Sequence, residues 1–189
     1  MSTKNIMIVG VGGQGTLLAS RILGNAVIQR GYDVKVSEVH GMSQRGGSVV
    51  TYVKFGDAVH SPIIDKGEAD IILAFESLEA LRALPWLKKG GKMIVNDQQI
   101  NPMPVITGAV EYPENILGKL SAAVDLTAVP ALSLARKAGN QKAVNVVLIG
   151  VMAKNTEIPY EEWVETIKTT VPAKFLEANL KAFDLGYHL

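Results

Sequence analysis

Two glycine-rich segments near the N-terminus carry the residues whose types and spacing could do chemistry. The first, Gly10-Val11-Gly12-Gly13-Gln14-Gly15, has the spacing G-x-G-x-x-G. Glycines at that spacing allow a tight turn and a close approach of backbone N–H groups to a guest. A helix that starts directly after them adds partial positive charge. The natural guest is an anion, a pyrophosphate or a carboxylate. The competing reading is that the glycines only let a helix pack closely on a strand. The second segment, His40-Gly41-Met42-Ser43-Gln44-Arg45-Gly46-Gly47, bunches four polar side chains among three glycines. Arg45 could clamp a phosphate or carboxylate through two parallel hydrogen bonds, or it could simply pin the loop to Glu38. His40 could be an acid or base near neutral pH, although a lone loop histidine is more often structural. Both are candidate catalytic residues only in this weak sense.

A dinucleotide site would also want an acid about 20 residues beyond the glycine loop, and Glu38 is placed for that. No G-x-S-x-G elbow, Ser-His-Asp constellation or paired-carboxylate motif is present. Asn145 lies inside an otherwise apolar run, where a buried amide needs partners. It could cap a neighbouring loop or face another chain.

Composition narrows the classes further. The chain has 189 residues, 48% hydrophobic and 20% charged, with a formal net charge of +1. That balance excludes a nucleic-acid footprint and makes disorder an unlikely state for the chain. There is no cysteine, so neither disulfides nor iron–sulfur clusters ligated by this chain can form. Three separated histidines form no zinc pattern, and no metal site is expected. No stretch is long enough to cross a bilayer, and the default location is the cytoplasm.

The elements that must position these residues alternate. Strands are expected at 5–10, 33–39, 48–55, 69–75 and 92–96, with a further one within 122–129. Val34, Val36 and Val39 are expected to point inward. Helices are expected at 16–30, with Leu18, Ile22 and Ala26 on one face, and at 76–88, ended or bent by Pro85. Others fall at 114–120, 131–138, 144–154, 160–170 and 173–185. The 144–154 run could also be a strand. Residues 58–61 are expected to pair back as a short hairpin arm, and Gly90-Gly91 to form a turn. The whole predicts an α/β fold: a Rossmann-like, mostly parallel sheet with helices on both faces, an antiparallel edge ribbon and a helical C-terminal segment from about 142 to 189. One domain spans 1–189. Parallel strands present their C-terminal ends on one edge. That edge would gather Gly12, Gly13, Gln14, His40, Ser43, Gln44, Arg45, Glu76 and Asn96 into a rim, with Ser77 and Asp97 beside it.

The pairing of G-V-G-G-Q-G with S-E-V-H-G-M-S-Q-R-G-G-S-V-V resembles the gamma-type domain of 2-oxoacid:ferredoxin oxidoreductases. The H-G-M-S-Q-R-G-G form on a chain of this size is most similar to the beta subunits of indolepyruvate:ferredoxin oxidoreductases. A-D-I-I-L-A-F-E, L-K-K-G-G-K-M-I-V-N and N-V-V-L-I-G agree as well, so the resemblance covers residues 5–185. It implies oxidative decarboxylation of a 2-oxoacid, with the acyl group passed to coenzyme A and electrons to ferredoxin. It implies that thiamine diphosphate and iron–sulfur clusters sit in a larger partner subunit, and that this chain alone is inactive. Cofactor contacts would then come from Gly10, Gly12, Gly13, Gln14, Gly15, Ser43, Gln44 and Arg45, with coenzyme A at the subunit interface. Two other classes stay open: a free-standing NAD(P)-binding oxidoreductase resting on Gly10, Gly12, Gly15 and Glu38, and a purely structural assembly subunit.

Overall fold

The computed structural model describes residues 3–40 and 46–189. Its first element, strand β1 (Lys4–Val11), is apolar and buried from Ile6 onward, so it sits in mid-sheet. Helix α1 (Thr16–Gln29) follows the glycine loop and buries Ala19, Ile22, Leu23, Ala26 and Val27 against one face of that sheet. Strands β2 (Asp33–His40) and β3 (Ser48–Gly56) come next, then β4 (Ala69–Ala74) and helix α2 (Ser77–Ala83). Pro85 stops that helix. A single 3-10 turn at Leu84–Trp86 replaces the continuation expected to residue 88.

Strand β5 then runs from Leu87 to Asn96, so the expected Gly90-Gly91 turn lies inside it as an irregular stretch. The chain continues through the short helix α3 (Met103–Ile106), where a loop was expected, into α4 (Ile116–Ala123) and strand β6 (Asp125–Val129). Helices α5 (Ala131–Lys137), α6 (Val144–Ala153), α7 (Tyr160–Thr170) and α8 (Leu176–Tyr187) complete it. The ambiguous 144–154 run is thus a helix, and every residue of α6 is buried.

The six strands lie in the order β2-β3-β1-β4-β5-β6. Strands β1, β4, β5 and β6 are mutually parallel. Strand β3 is antiparallel to both β1 and β2, which makes the β2–β3 pair the expected antiparallel ribbon at one edge. The 58–61 hairpin arm does not form. Instead the Asp33 carboxylate accepts the Val59 N–H at 2.8 Å and pins that segment by a side chain. Being the outermost strand also changes β2. Val36 and Val39 are 44% and 52% exposed, contrary to the inward placement read from the alternation. An edge strand has a neighbour on one side only, and Val39, three positions from Val36, lies on the opposite face from it.

Two apolar layers flank the sheet. Ile6 and Ile8 pack with α1, α5, α6 and α8 on one face, whereas Met7 and Val9 pack with α2 and α4 on the other. The chain leaves β1 toward β2 and later resumes on the opposite side at β4. The change of direction therefore falls between β1 and β4, where open α/β sheets open a crevice at their C-terminal edge.

Candidate functional site

The glycine loop sits at that point of reversal. Gly13 and Gly15 adopt φ of +97° and +84°, values that only glycine holds without strain, and Gly15 directly precedes the first turn of α1. A side chain on Gly15 would meet the Asn145 amide nitrogen at 2.6 Å, while one on Gly13 would meet nothing. Gly13 is the exposed tip of the loop. Among the described residues no side chain caps the start of α1, and the first turn carries no acid. Among the described residues its first N–H groups and positive dipole end thus meet no side-chain acceptor, as an anion site requires.

Gln14 does not face outward with them. Its side-chain oxygen accepts the Val11 N–H at 2.7 Å, and its amide nitrogen donates to the Phe75 carbonyl at 2.9 Å. It closes the crevice between β1 and β4 and ties the loop to both strands. Gly10 must lack a side chain for the same reason, since a Cβ there would fall 2.9 Å from the Gln14 oxygen and 3.0 Å from the Phe75 Cβ. Asn145 resolves as the cap of a neighbouring loop. Its amide nitrogen donates to the Gly15 carbonyl at 3.2 Å, and its oxygen accepts the Val146 N–H.

The second loop reaches the same edge. The Gly12 N–H donates to the Gly47 carbonyl at 2.9 Å, so the two glycine segments are joined backbone to backbone. His40 is the last residue of β2 and pairs in register with Val49. Ser43, Gln44 and Arg45 lie outside the described residues, as does the His40 side chain. Glu38 accepts a hydrogen bond from Ser20 Oγ at 3.2 Å. The acid proposed for a ribose is thus engaged with α1 within the chain.

Glu76 and Asn96 turn inward. Glu76 is 1% exposed, and its carboxylate accepts the backbone N–H of Glu79, the N–H of Ile100 and the hydroxyl of Tyr112. It caps α2 and anchors the following loop. Burial, reinforced by the Glu76 carboxylate, pushes the Tyr112 phenol well above its ordinary range. Asn96, fully buried, donates to the same Phe75 carbonyl at 3.1 Å and to Gln98 at 2.9 Å. Its own oxygen has no partner among the described residues. Ser77 is likewise buried, and Asp97 contributes its N–H to the Val129 carbonyl.

Sequence reasoning missed Glu79 and Tyr112. Glu79 is 4% exposed and accepts from Ser48 Oγ at 2.5 Å while pairing with Arg82 at 2.6 Å. It thereby links the start of β3, just beyond the second loop, to α2. The spacing of Glu76 and Glu79 is that of an N-cap and the third residue of its helix, a signal that could have found the pair. Tyr112 lies in an irregular stretch that offered none. Among the described residues no group of three potential metal ligands converges, and no helix is long and apolar enough to cross a membrane.

The edge is therefore a floor of buried hydrogen bonds beneath the glycine loop, and comparison with known proteins places that arrangement. A family model described as pyruvate ferredoxin/flavodoxin oxidoreductase matches residues 5–189. The indolepyruvate oxidoreductase subunit IorB of Pyrococcus horikoshii is 45% identical over 194 residues, covering 98% of this chain and 95% of that one. The 2-oxoglutarate synthase subunit KorC of Methanothermobacter thermautotrophicus is 31% identical over 190 residues, covering 98% and 94%. The crystal structure of the gamma subunit of a keto/oxoacid ferredoxin oxidoreductase from Geobacter sulfurreducens superposes with a TM-score of 0.73 at 26% identity, over 98% of this chain and 96% of that one. The resemblance read from the two loops is thus borne out, and the chain belongs to the pyruvate ferredoxin/flavodoxin oxidoreductase family.

Proposed function

We propose that this chain is a subunit, folded as one gamma-type domain, of a cytoplasmic 2-oxoacid:ferredoxin oxidoreductase acting on indolepyruvate or a related arylpyruvate. The observation that carries the substrate class is the contrast in likeness. Identity is 45% with an indolepyruvate subunit and 31% with a 2-oxoglutarate subunit of matching length. The reaction removes the 2-oxoacid carboxyl as carbon dioxide, passes an electron pair to ferredoxin and transfers the remaining acyl group to the thiol of coenzyme A.

In this reading thiamine diphosphate and the iron–sulfur clusters reside in a larger partner subunit. A chain without cysteine offers no thiolate to a cluster. Such clusters, when bound, carry the electrons away. This chain supplies shape and charge. The exposed Gly13 backbone and the uncapped start of α1 present N–H groups to the phosphates of coenzyme A at the interface. Arg45, three residues before the β3 terminus that Glu79 holds, adds a guanidinium to the same anion. A free-standing NAD(P) enzyme fits less well, because Glu38 is already engaged with Ser20 and the Gln14 side chain fills the crevice floor.

The test is kinetic. The chain should co-purify with a large subunit, and the complex should turn over indolepyruvate. Arg45→Ala should raise the KM for coenzyme A several-fold with little change in the KM for the 2-oxoacid. A large subunit that reaches full rate alone would refute the subunit role. Unchanged coenzyme A kinetics in the variant would remove Arg45 from the site.

A further inference from the structure

The opposite edge of the sheet, at the N-terminal ends of the strands, holds a cavity of about 360 Å³ that the reading above leaves unused. Open α/β sheets do their chemistry at the other edge, so this space is not part of the glycine-loop site. Its floor is apolar. Ile6, Phe55, Ile71 and Ile158 line it, each less than a tenth exposed. Tyr32 forms a wall, with its ring 6.1 Å from that of Phe55 and tilted by 41°. Two aromatic faces over an aliphatic floor suit a flat apolar body.

The mouth is charged, and the charges do not cancel. Asp70 is paired with Lys88 at 3.0 Å, Asp125 with Lys92 at 3.3 Å, and Arg30 with Glu162 at 2.9 Å. Among the described residues that leaves Lys4 and Lys89 without an ion-pair partner, against Glu157, which is exposed at the lip. The surplus is one positive charge. The backbone at the mouth also departs from the ladder. Ala69 pairs with Leu87 and Ile71 with Lys92, so Lys88–Gly91 loop out opposite Asp70, with Gly90 at φ +78°. Bulges of this kind gather at binding sites, where they re-aim side chains.

We propose that this cavity binds a small aromatic monocarboxylate, with its ring packed against the Tyr32–Phe55 pair and the Ile6, Ile71 and Ile158 floor and its carboxylate toward Lys4 and Lys89. The volume lies at the small end of the roughly 300–1,000 Å³ seen for ligand pockets. That suits a single ring with a short acidic arm rather than a nucleotide. The inference stands on the cavity alone and does not depend on the identity of the 2-oxoacid.

The experiment is a titration of the full-length chain with phenylacetate, followed by amide NMR, with the neutral phenylacetamide as control. Saturable shifts at Tyr32, Ile71 and Gly90–Gly91 are expected, with phenylacetate bound more tightly than the amide. Lys4→Ala and Lys89→Ala should each weaken phenylacetate by about two- to fivefold, the worth of one partly screened ion pair. Both lysines lie off the packed core, so the melting temperature should hold, and the double variant should bind the acid and the amide alike. No saturable shift at these residues up to about 10 mM, equal binding of acid and amide by the wild type, or an undiminished preference in the double variant would each overturn the proposal.

Discussion

Replacing Gly15 by alanine separates two causes that the glycine loop combines. The first is backbone conformation. An L-residue at φ +84° pays about 1–2 kcal/mol for the left-handed region. The second is the close approach of Asn145, whose amide nitrogen would lie 2.6 Å from the new methyl group. Relieving that overlap moves Asn145 and breaks its 3.2 Å bond to the Gly15 carbonyl, a loss of about 0.5–1.5 kcal/mol. The sum is about 1.5–3.5 kcal/mol. Gly13→Ala is the internal control, because Gly13 has φ +97° but nothing near its missing side chain. It should cost only the backbone share, about 1–2 kcal/mol. Urea unfolding of the two variants, and of each in an Asn145→Ala background, measures the difference. In that background the cost of Gly15→Ala should fall to that of Gly13→Ala. Equal costs for the two glycines in the wild-type background would refute the reasoning, and so would an unchanged Gly15→Ala cost once Asn145 is trimmed.

Other expectations follow from the same geometry. Gln14→Leu keeps the bulk but leaves the Val11 N–H and one bond of the Phe75 carbonyl unmade, so it should lower unfolding free energy by about 2 kcal/mol in urea titration. Gly186→Ala drives a methyl group into the Val147 carbonyl where α8 crosses α6, and about 2–3 kcal/mol of stability should be lost by the same measurement. Tyr112→Phe should change the alkaline limb of the stability profile. Folding raises the Tyr112 pKa, first by burial and then through Glu76, so its contribution is complete below about pH 10 and is lost as pH climbs toward the folded value. The variant's melting temperature should therefore fall less steeply than the wild type's above about pH 10. Parallel curves would show that Tyr112 does not control this limb.

The sheet and the glycine loop were legible because their signals are local. An apolar run ending in glycines, then a helical period, needs no knowledge of the rest of the chain. Asn145 was half legible, since an amide inside an apolar helix must find a partner, but the partner lies 130 positions away. Gln14 was not legible. It was read as a ligand of an incoming anion, yet both of its amide groups are spent on the chain, one of them on a residue 61 positions distant. A polar side chain in a loop carries no periodicity to show which way it turns. Glu76 and Asn96 misled for a related reason. Position at the C-terminal end of a strand predicts nearness to a site, but not whether the side chain faces the guest or the floor. Val36 shows the reverse error, because alternation assigns faces but cannot tell an edge strand from a central one, and Val39, three positions on, falls on the opposite face.

The inward turn of Gln14, Glu76 and Asn96 sharpens what the C-terminal edge can do. A guest there would meet backbone N–H groups and whatever the second loop brings, not a set of polar side chains at the floor. Backbone donors held by a satisfied network keep their geometry when a ligand arrives, which favours orientation of an anion over acid–base chemistry. The three side chains that could have titrated or donated at the floor are committed to Val11, Phe75, Glu79, Ile100 and Gln98. That fits the proposed role of a surface that positions a group for another subunit's chemistry. It also locates the decisive substitutions: changes at Gly13 or Arg45 should alter anion affinity while leaving the fold's hydrogen-bonded floor intact, whereas changes at Gln14 or Glu76 should alter both together.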